Sequence, residues 1–479
     1  MEMNAKSDKQ TADQTIFTSN QHPPGAIEHS AAVKRAAFGA DFAWGVSTAA
    51  YQIEGAHDIE GKGASIWDVF SGKKGKVKLN HNGNFACDFF NRYPDDLELM
   101  QSLSIPNFRF SLSWPRLLPD GHGRANQAGI DYYNRLIDHC LELGITPWVT
   151  LYHWDLPYEL EKKGGWANRD IVGWFQEYAA LCAKHYGDRV KHWMVLNEPM
   201  VFTGAGYFLG VHAPGRIGFK GFVPAVHHAT LCQAEGGRVL RDLLPGAEIG
   251  TTFSCSHVEP YRPQEKDIKA AIRVDALLNR LFIEPSLGLG YPLQDLKFMR
   301  RIEKYILAGD EDKVKFDFDF IGIQNYTREV VKHSFWTPFV QANLVPPKKR
   351  GVPQTQMNWE VYPQGIYHIL HKYNQYKGIK KLIVTENGAA FADQLLDGEV
   401  HDTNRVDFLQ RYLHQVLRAK QEGVKVQGYF VWSFVDNFEW AEGYHPRFGL
   451  VYIDYETQQR TIKDSGHWYR DFLEGKQKF

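Results

Sequence analysis

Short apolar runs with strand character alternate along this chain with segments of helical periodicity. Eight strand-like runs fall at residues 42–47, 107–111, 146–152, 192–197, 248–254, 320–326, 381–386 and 427–433. Between them lie amphipathic segments. One carries Ile130, Tyr133, Ile137, Cys140 and Leu141 and stops at Gly144. A second carries Ile171, Trp174, Phe175, Tyr178 and Cys182 and stops at Gly187. A third carries Val406, Leu409, Leu413, Val416 and Leu417 and stops at Gly423. Each has the i, i+3, i+4, i+7 spacing of a half-buried helix, followed by a glycine placed to cap it, and a strand-like run follows.

Repetition of strand then helix predicts parallel strands joined by right-handed crossovers. Eight such units predict an α/β fold of the closed (β/α)8, or TIM-barrel, type, one domain with elaborated βα loops. Functional residues then belong at the C-terminal ends of the strands. An open doubly wound sheet would want a glycine-rich phosphate loop, and neither GxGxxG nor GxxxxGK[ST] occurs. Residues 332–358, rich in proline and aromatics, read as an irregular insertion after the sixth strand, of the kind that shapes the mouth of a site.

Composition narrows the function classes. The 479 residues are 43% hydrophobic and 23% charged, with a net charge of −1. That balance argues against nucleic acid or an anionic membrane as partner, and no apolar run is long enough to span a bilayer. The compact basic cluster Lys348-Lys349-Arg350 reads as a solvated loop. Five cysteines without CxxC spacing read as reduced structural thiols in a cytoplasmic protein. Residues 1–36, polar and without a secretory h-region, read as a flexible extension, and residues 37–479 as the catalytic domain. His227-His228 and Cys255-Ser256-His257 lack metal-site spacing, so no metal is expected. The sequon Asn325-Tyr326-Thr327 falls at a strand end and reads as structural.

Two glutamates carry the chemistry. Glu198 follows the run 192–197 and precedes Pro199; Glu386 ends the run 381–386. Proline restricts the residue before it, which predicts an extended Glu198. Either glutamate alone could be a bland strand terminus, but a barrel would aim both into one mouth. Arg109, buried between Phe108 and Phe110, needs a carboxylate partner. His153-Trp154-Asp155, Asn325-Tyr326 and Trp432-Ser433 also fall at strand ends, with Asp436 to Trp440 close behind. Aromatics mixed with hydrogen-bonding groups suit a sugar. Trp44, Trp148, Trp174 and Trp193 read as packing residues.

These motifs resemble family 1 of the glycoside hydrolases, the β-glucosidase family. The resemblance rests on the signature from Phe42 to Gly55, His153-Trp154-Asp155-Leu156-Pro157, Asn197-Glu198-Pro199, Asn325-Tyr326-Thr327, Thr385-Glu386-Asn387-Gly388 and Trp432-Ser433 with Asn437-Phe438-Glu439-Trp440. It implies a retaining exo-β-glycosidase of β-glucosidase type, with Glu198 as acid/base and Glu386 as nucleophile. Arg109, Tyr326 and Asn325 would support Glu386. Gln52, His153, Trp154, Asn197, Trp432, Glu439, Trp440 and Phe448 would bind the sugar, and Trp359 would line the aglycone side. The family often has glycine where this chain has Asn358. No cofactor is implied; the partners would be small β-glycosides such as cellobiose, and a homo-oligomer is compatible with the family.

Retention calls for carboxyls about 5–5.5 Å apart. An intact Glu198 disfavours the plant thioglucosidase subtype, which has Gln there. Glu439 disfavours 6-phospho sugars, whose charge it would repel. A β-galactosidase, β-fucosidase or transglycosylase stays open, as does, in another class, an inactive glycan-binding relative, which both glutamates argue against.

Overall fold

The computed structural model describes residues 33–476. Eight strands form a closed barrel: β1 Ala43–Ser47, β2 Asn107–Ser111, β3 Thr146–Tyr152, β4 His192–Asn197, β5 Glu248–Ser254, β6 Phe320–Gln324, β7 Leu382–Asn387 and β8 Val426–Trp432. Each pairs in parallel with its sequence neighbour, and β8 closes on β1. The predicted barrel is therefore the observed one, and most strand ends agree within two residues.

The three amphipathic segments form helices Gln127–Glu142, Ile171–Tyr186 and Thr403–Gln421. Gly144 and Gly423 end their helices with φ of 74° and 91°, conformations that favour glycine. Gly187 does not; its φ is −68°. Space selects glycine there, because a Cβ would meet Leu244 at 2.0 Å and the Ala183 carbonyl at 2.6 Å.

Trp148, Met194, Phe320, Ile383 and Phe430 fill the lower barrel interior, the packed layer of such a barrel. Trp44 and Trp193 are buried in the outer core, whereas Trp174 is half-buried and stacks on His122. The five cysteines are buried and unpaired. No helix among the described residues is long and apolar enough to cross a membrane.

The insertion after β6 is irregular over most of residues 332–358, but not throughout: its first two residues end a strand, Arg328–His333, that pairs with His257–Pro260 and Ala342–Leu344 in a small sheet. The basic cluster is not all solvated either. Lys348 and Lys349 are exposed, but Arg350 lies 2.6 Å from Glu360. Of the N-terminal extension, residues 1–32 lie outside the described residues. Its last residues are docked: Val33 is buried, and Arg35 Nη1 donates to the Leu473 carbonyl at 2.6 Å.

Candidate active site

Glu198 and Glu386 stand at the C-terminal ends of β4 and β7, both buried. In each strand the pairing slips just before the glutamate, between Met194 and Asn197 in β4 and between Val384 and Glu386 in β7. Met194 and Ile383 face the barrel interior. Strict alternation would next turn Leu196 and Thr385 inward. The irregularities instead re-aim Asn197 and Glu386, a use of bulges common beside active sites.

Glu198 is not extended. It has φ 49° and ψ 63° and forms the N-cap of helix Pro199–Tyr207. Pro199 excludes the right-handed helical region for its predecessor, but the left-handed region stays accessible. Two hydrogen bonds fix the reversal: Glu198 N donates to Thr252 O at 3.0 Å, and Val201 N donates to Glu198 O at 2.9 Å. Trp154 (φ 81°), Asn358 (φ 59°) and Trp440 (φ 48°) also have positive φ, a clustering of strain typical of functional sites. At position 358, asparagine is the side-chain-bearing residue that best tolerates this conformation.

Glu386 is held from three sides. Arg109 Nη1 donates to Oε1 at 2.5 Å, Gln324 Nε2 donates to Oε1 at 2.7 Å, and Tyr326 Oη donates to Oε2 at 2.6 Å. Arg109, expected to need a carboxylate, thus has one. Gln324 is absent from the sequence-based set. Asn325, expected to support Glu386, turns its amide to the Cys255 and Thr327 carbonyls instead. It meets Glu386 through the backbone alone, N to O at 3.2 Å. The two residues are neighbours at the end of β6, and alternation sends the Gln324 side chain inward.

Burial pushes the Glu198 carboxyl well above the ordinary range, and the charge of Glu386 pushes it further. Burial also raises Glu386, but the Arg109 charge and the Tyr326 hydrogen bond oppose that rise. Glu198 therefore holds its proton more tightly than Glu386 does.

Asn197 Oδ1 accepts from Arg109 Nη2 (2.6 Å), Gln324 Nε2 (2.7 Å) and Thr252 Oγ1 (2.9 Å). That fixes its amide, so Nδ2 donates to His153 Nε2 at 3.0 Å. His153 is buried and near the Arg109 charge, which together hold its pKa well down. It is a neutral ring carrying its proton on Nδ1. Gln52 Nε2 reaches Asn437 Oδ1, Phe438 O and Glu439 Oε2 at 2.9, 2.9 and 3.3 Å. Lys463 and Arg447 anchor this loop by pairing with Asp436, both at 2.7 Å.

Aromatic rings form two walls. Trp432 and Phe448 pack with Tyr326 and Trp359. Trp440 packs on Trp154 at 4.6 Å and on Trp67 at 4.7 Å. The Trp154 indole N–H is committed to the Asn197 carbonyl at 2.9 Å, so Trp154 offers the site a ring and no donor. Glu439 is pushed up to about 8 by burial and by the charge of Glu386, against the Gln52 hydrogen bond.

Away from the site, His227 bonds Tyr291 and Asp310, and His228 bonds the Trp166 carbonyl. Both are core histidines with structural partners.

The closed parallel barrel agrees with what comparison with known proteins finds. Residues 34–478 match the model of glycosyl hydrolase family 1, and the chain belongs to that family of glycoside hydrolases. Beta-glucosidase A of Thermotoga maritima is 45% identical over 434 residues, covering 90% of this chain and 96% of that protein. The 1,4-beta-D-glucan glucohydrolase of Thermotoga neapolitana is also 45% identical, covering 90% and 97%. The solved family 1 β-glucosidase of Thermotoga maritima superposes with a TM-score of 0.89 at 44% identity, over 94% of this chain and all of that one. The enzyme from the same organism has also been solved with glucoimidazole bound, at a TM-score of 0.87 and 44% identity over 92% of this chain and 99% of that one.

Proposed function

We propose that this protein is a retaining exo-β-glycosidase of β-glucosidase type, with cellobiose or aryl and alkyl β-glucosides as substrates. The asymmetry of the two carboxyls carries the reading: Glu386 is gripped by Arg109, Gln324 and Tyr326, while Glu198 keeps its proton. The names of the similar enzymes support glucose as the sugar. Five buried, unpaired cysteines support a reducing, cytoplasmic setting.

In the first step the Glu386 carboxylate attacks the anomeric carbon and the C–O bond to the aglycone breaks. Glu198 gives its proton to the departing oxygen. The glycosyl ester removes the Glu386 charge, so the Glu198 pKa falls and Glu198 remains as a carboxylate. In the second step water attacks the anomeric carbon, Glu198 takes its proton, and Glu386 leaves as the carboxylate. Gln52, His153, Asn197, Glu439 and Trp440 would hold the hydroxyls, with Trp432 as the platform beneath the ring.

Turnover of p-nitrophenyl β-D-glucoside followed by proton NMR tests this. The reading expects β-glucose as the first product. Appearance of α-glucose first, or no turnover, contradicts it. The galactoside and fucoside in the same assay rank the sugars.

A further inference from the structure

The insertion after β6 carries a buried charge cluster beside Trp359. Glu360 has a side chain 4% exposed. Arg328 donates to it twice, Nε to Oε2 and Nη2 to Oε1, each at 2.9 Å. Arg350 Nη1 lies 2.6 Å from Oε2. Such a fork geometry fixes a carboxylate in direction as well as in place. The cations are themselves anchored. Arg328 Nη1 donates to Glu259 at 2.8 Å and its guanidinium lies 3.8 Å above the Tyr362 ring. Arg350 Nε donates to the Val345 carbonyl at 3.1 Å.

The backbone around Trp359 is closed on the same point. Thr327 Oγ1 donates to the Glu360 carbonyl at 3.1 Å, Gln354 bridges to Glu360, and Thr355 N donates to the Trp359 carbonyl at 2.9 Å. Asn358 reverses the chain just before the indole. The Trp359 ring then sits 5.3 Å from Tyr326 and 6.2 Å from Phe448. A buried ion triad is weak as a source of stability, since apolar residues of equal volume often do as well. Direction is what it supplies.

We propose that Glu360, clamped by Arg328 and Arg350, is a positioning residue that sets the Trp359 ring against which the leaving group or an acceptor sugar packs. This rests on the reading of the protein as a retaining β-glucosidase with Trp359 on the aglycone side. Glu360 touches no reacting atom; it acts through Trp359.

The 2-deoxy-2-fluoroglucosyl enzyme separates the two sides of the site. Glu360→Gln and the milder Arg350→Met are compared with wild type in reactivation by water, reactivation by cellobiose as acceptor, and Ki for deoxynojirimycin. The clamp predicts a loss of roughly ten- to a hundredfold in the acceptor reaction, as for a misplaced binding group. Water reactivation and Ki stay near wild type, and Arg350→Lys recovers part of the loss. Unchanged acceptor rates in both variants overturn the proposal. A parallel loss in all three measurements overturns it too, since it marks a general prop of the fold. A wild type that takes up no label sinks the glucosidase reading, and the clamp with it.

Discussion

Arg109 and Glu386 meet across the barrel, Nη1 to Oε1 at 2.5 Å, from strands separated by β1 and β8. The other arm of the same guanidinium holds Asn197 Oδ1 at 2.6 Å. One cation thus ties the candidate nucleophile to the residue beside the candidate acid.

Replacing the candidate acid by Glu198→Gln separates the two chemical steps. General acid catalysis contributes roughly 10²- to 10⁴-fold, so kcat/KM for a poor leaving group falls by about that much. A 2,4-dinitrophenyl glucoside, which needs no proton, keeps a fast first step. The sign of the pH effect follows from the raised Glu198 pKa: wild-type activity is present while Glu198 is protonated and is lost as pH rises through that value. The variant lacks this alkaline limb. A retained limb assigns it to another group.

Gln324→Leu removes one donor from Glu386 and one from Asn197. A hydrogen bond to a charged group is worth about 1.5–3 kcal/mol, so kcat/KM falls by roughly ten- to 150-fold. Asn325→Ala, which empties bonds to backbone carbonyls only, lowers Tm and spares catalysis by comparison. The reverse ranking of the two variants in kcat/KM contradicts the geometry.

The barrel was legible because strand runs and capped helices alternate in register with the fold, and the residues around Glu386 were legible in part. Arg109 announced itself as a charge between two phenylalanines. Gln324 did not, because a glutamine ending an apolar strand looks like any polar terminus. The irregularities in β4 and β7 were invisible too: period-two alternation cannot show where a strand slips. Pro199 pointed to an extended Glu198, but the bond to Thr252 and the first turn of the following helix selected the left-handed alternative. Arg350 looked like surface charge until Glu360, ten residues on, folded back against it.

At the N-terminal face of the barrel, Glu248 bonds His192 at 3.0 Å and Lys381 at 2.6 Å. The His192 hydrogen bond, then the Lys381 pairing against partial burial, lower its pKa to about 2 from an ordinary 4.5. A depressed folded-state pKa gives stability that is whole above the unfolded value and lost as pH falls towards the folded one. Glu248→Gln therefore lowers Tm near neutrality, and the gap from wild type narrows between pH 4.5 and about 2. A gap independent of pH contradicts the assignment.

The central claim is that Glu386 is the nucleophile of a two-step displacement. Glu386→Ala with azide and an activated β-glucoside tests it most directly. The variant should give no hydrolysis without azide and α-glucosyl azide with it, because azide attacks from the face the carboxylate has vacated. Hydrolysis by the variant at wild-type rate, or a β-azide product, would contradict it.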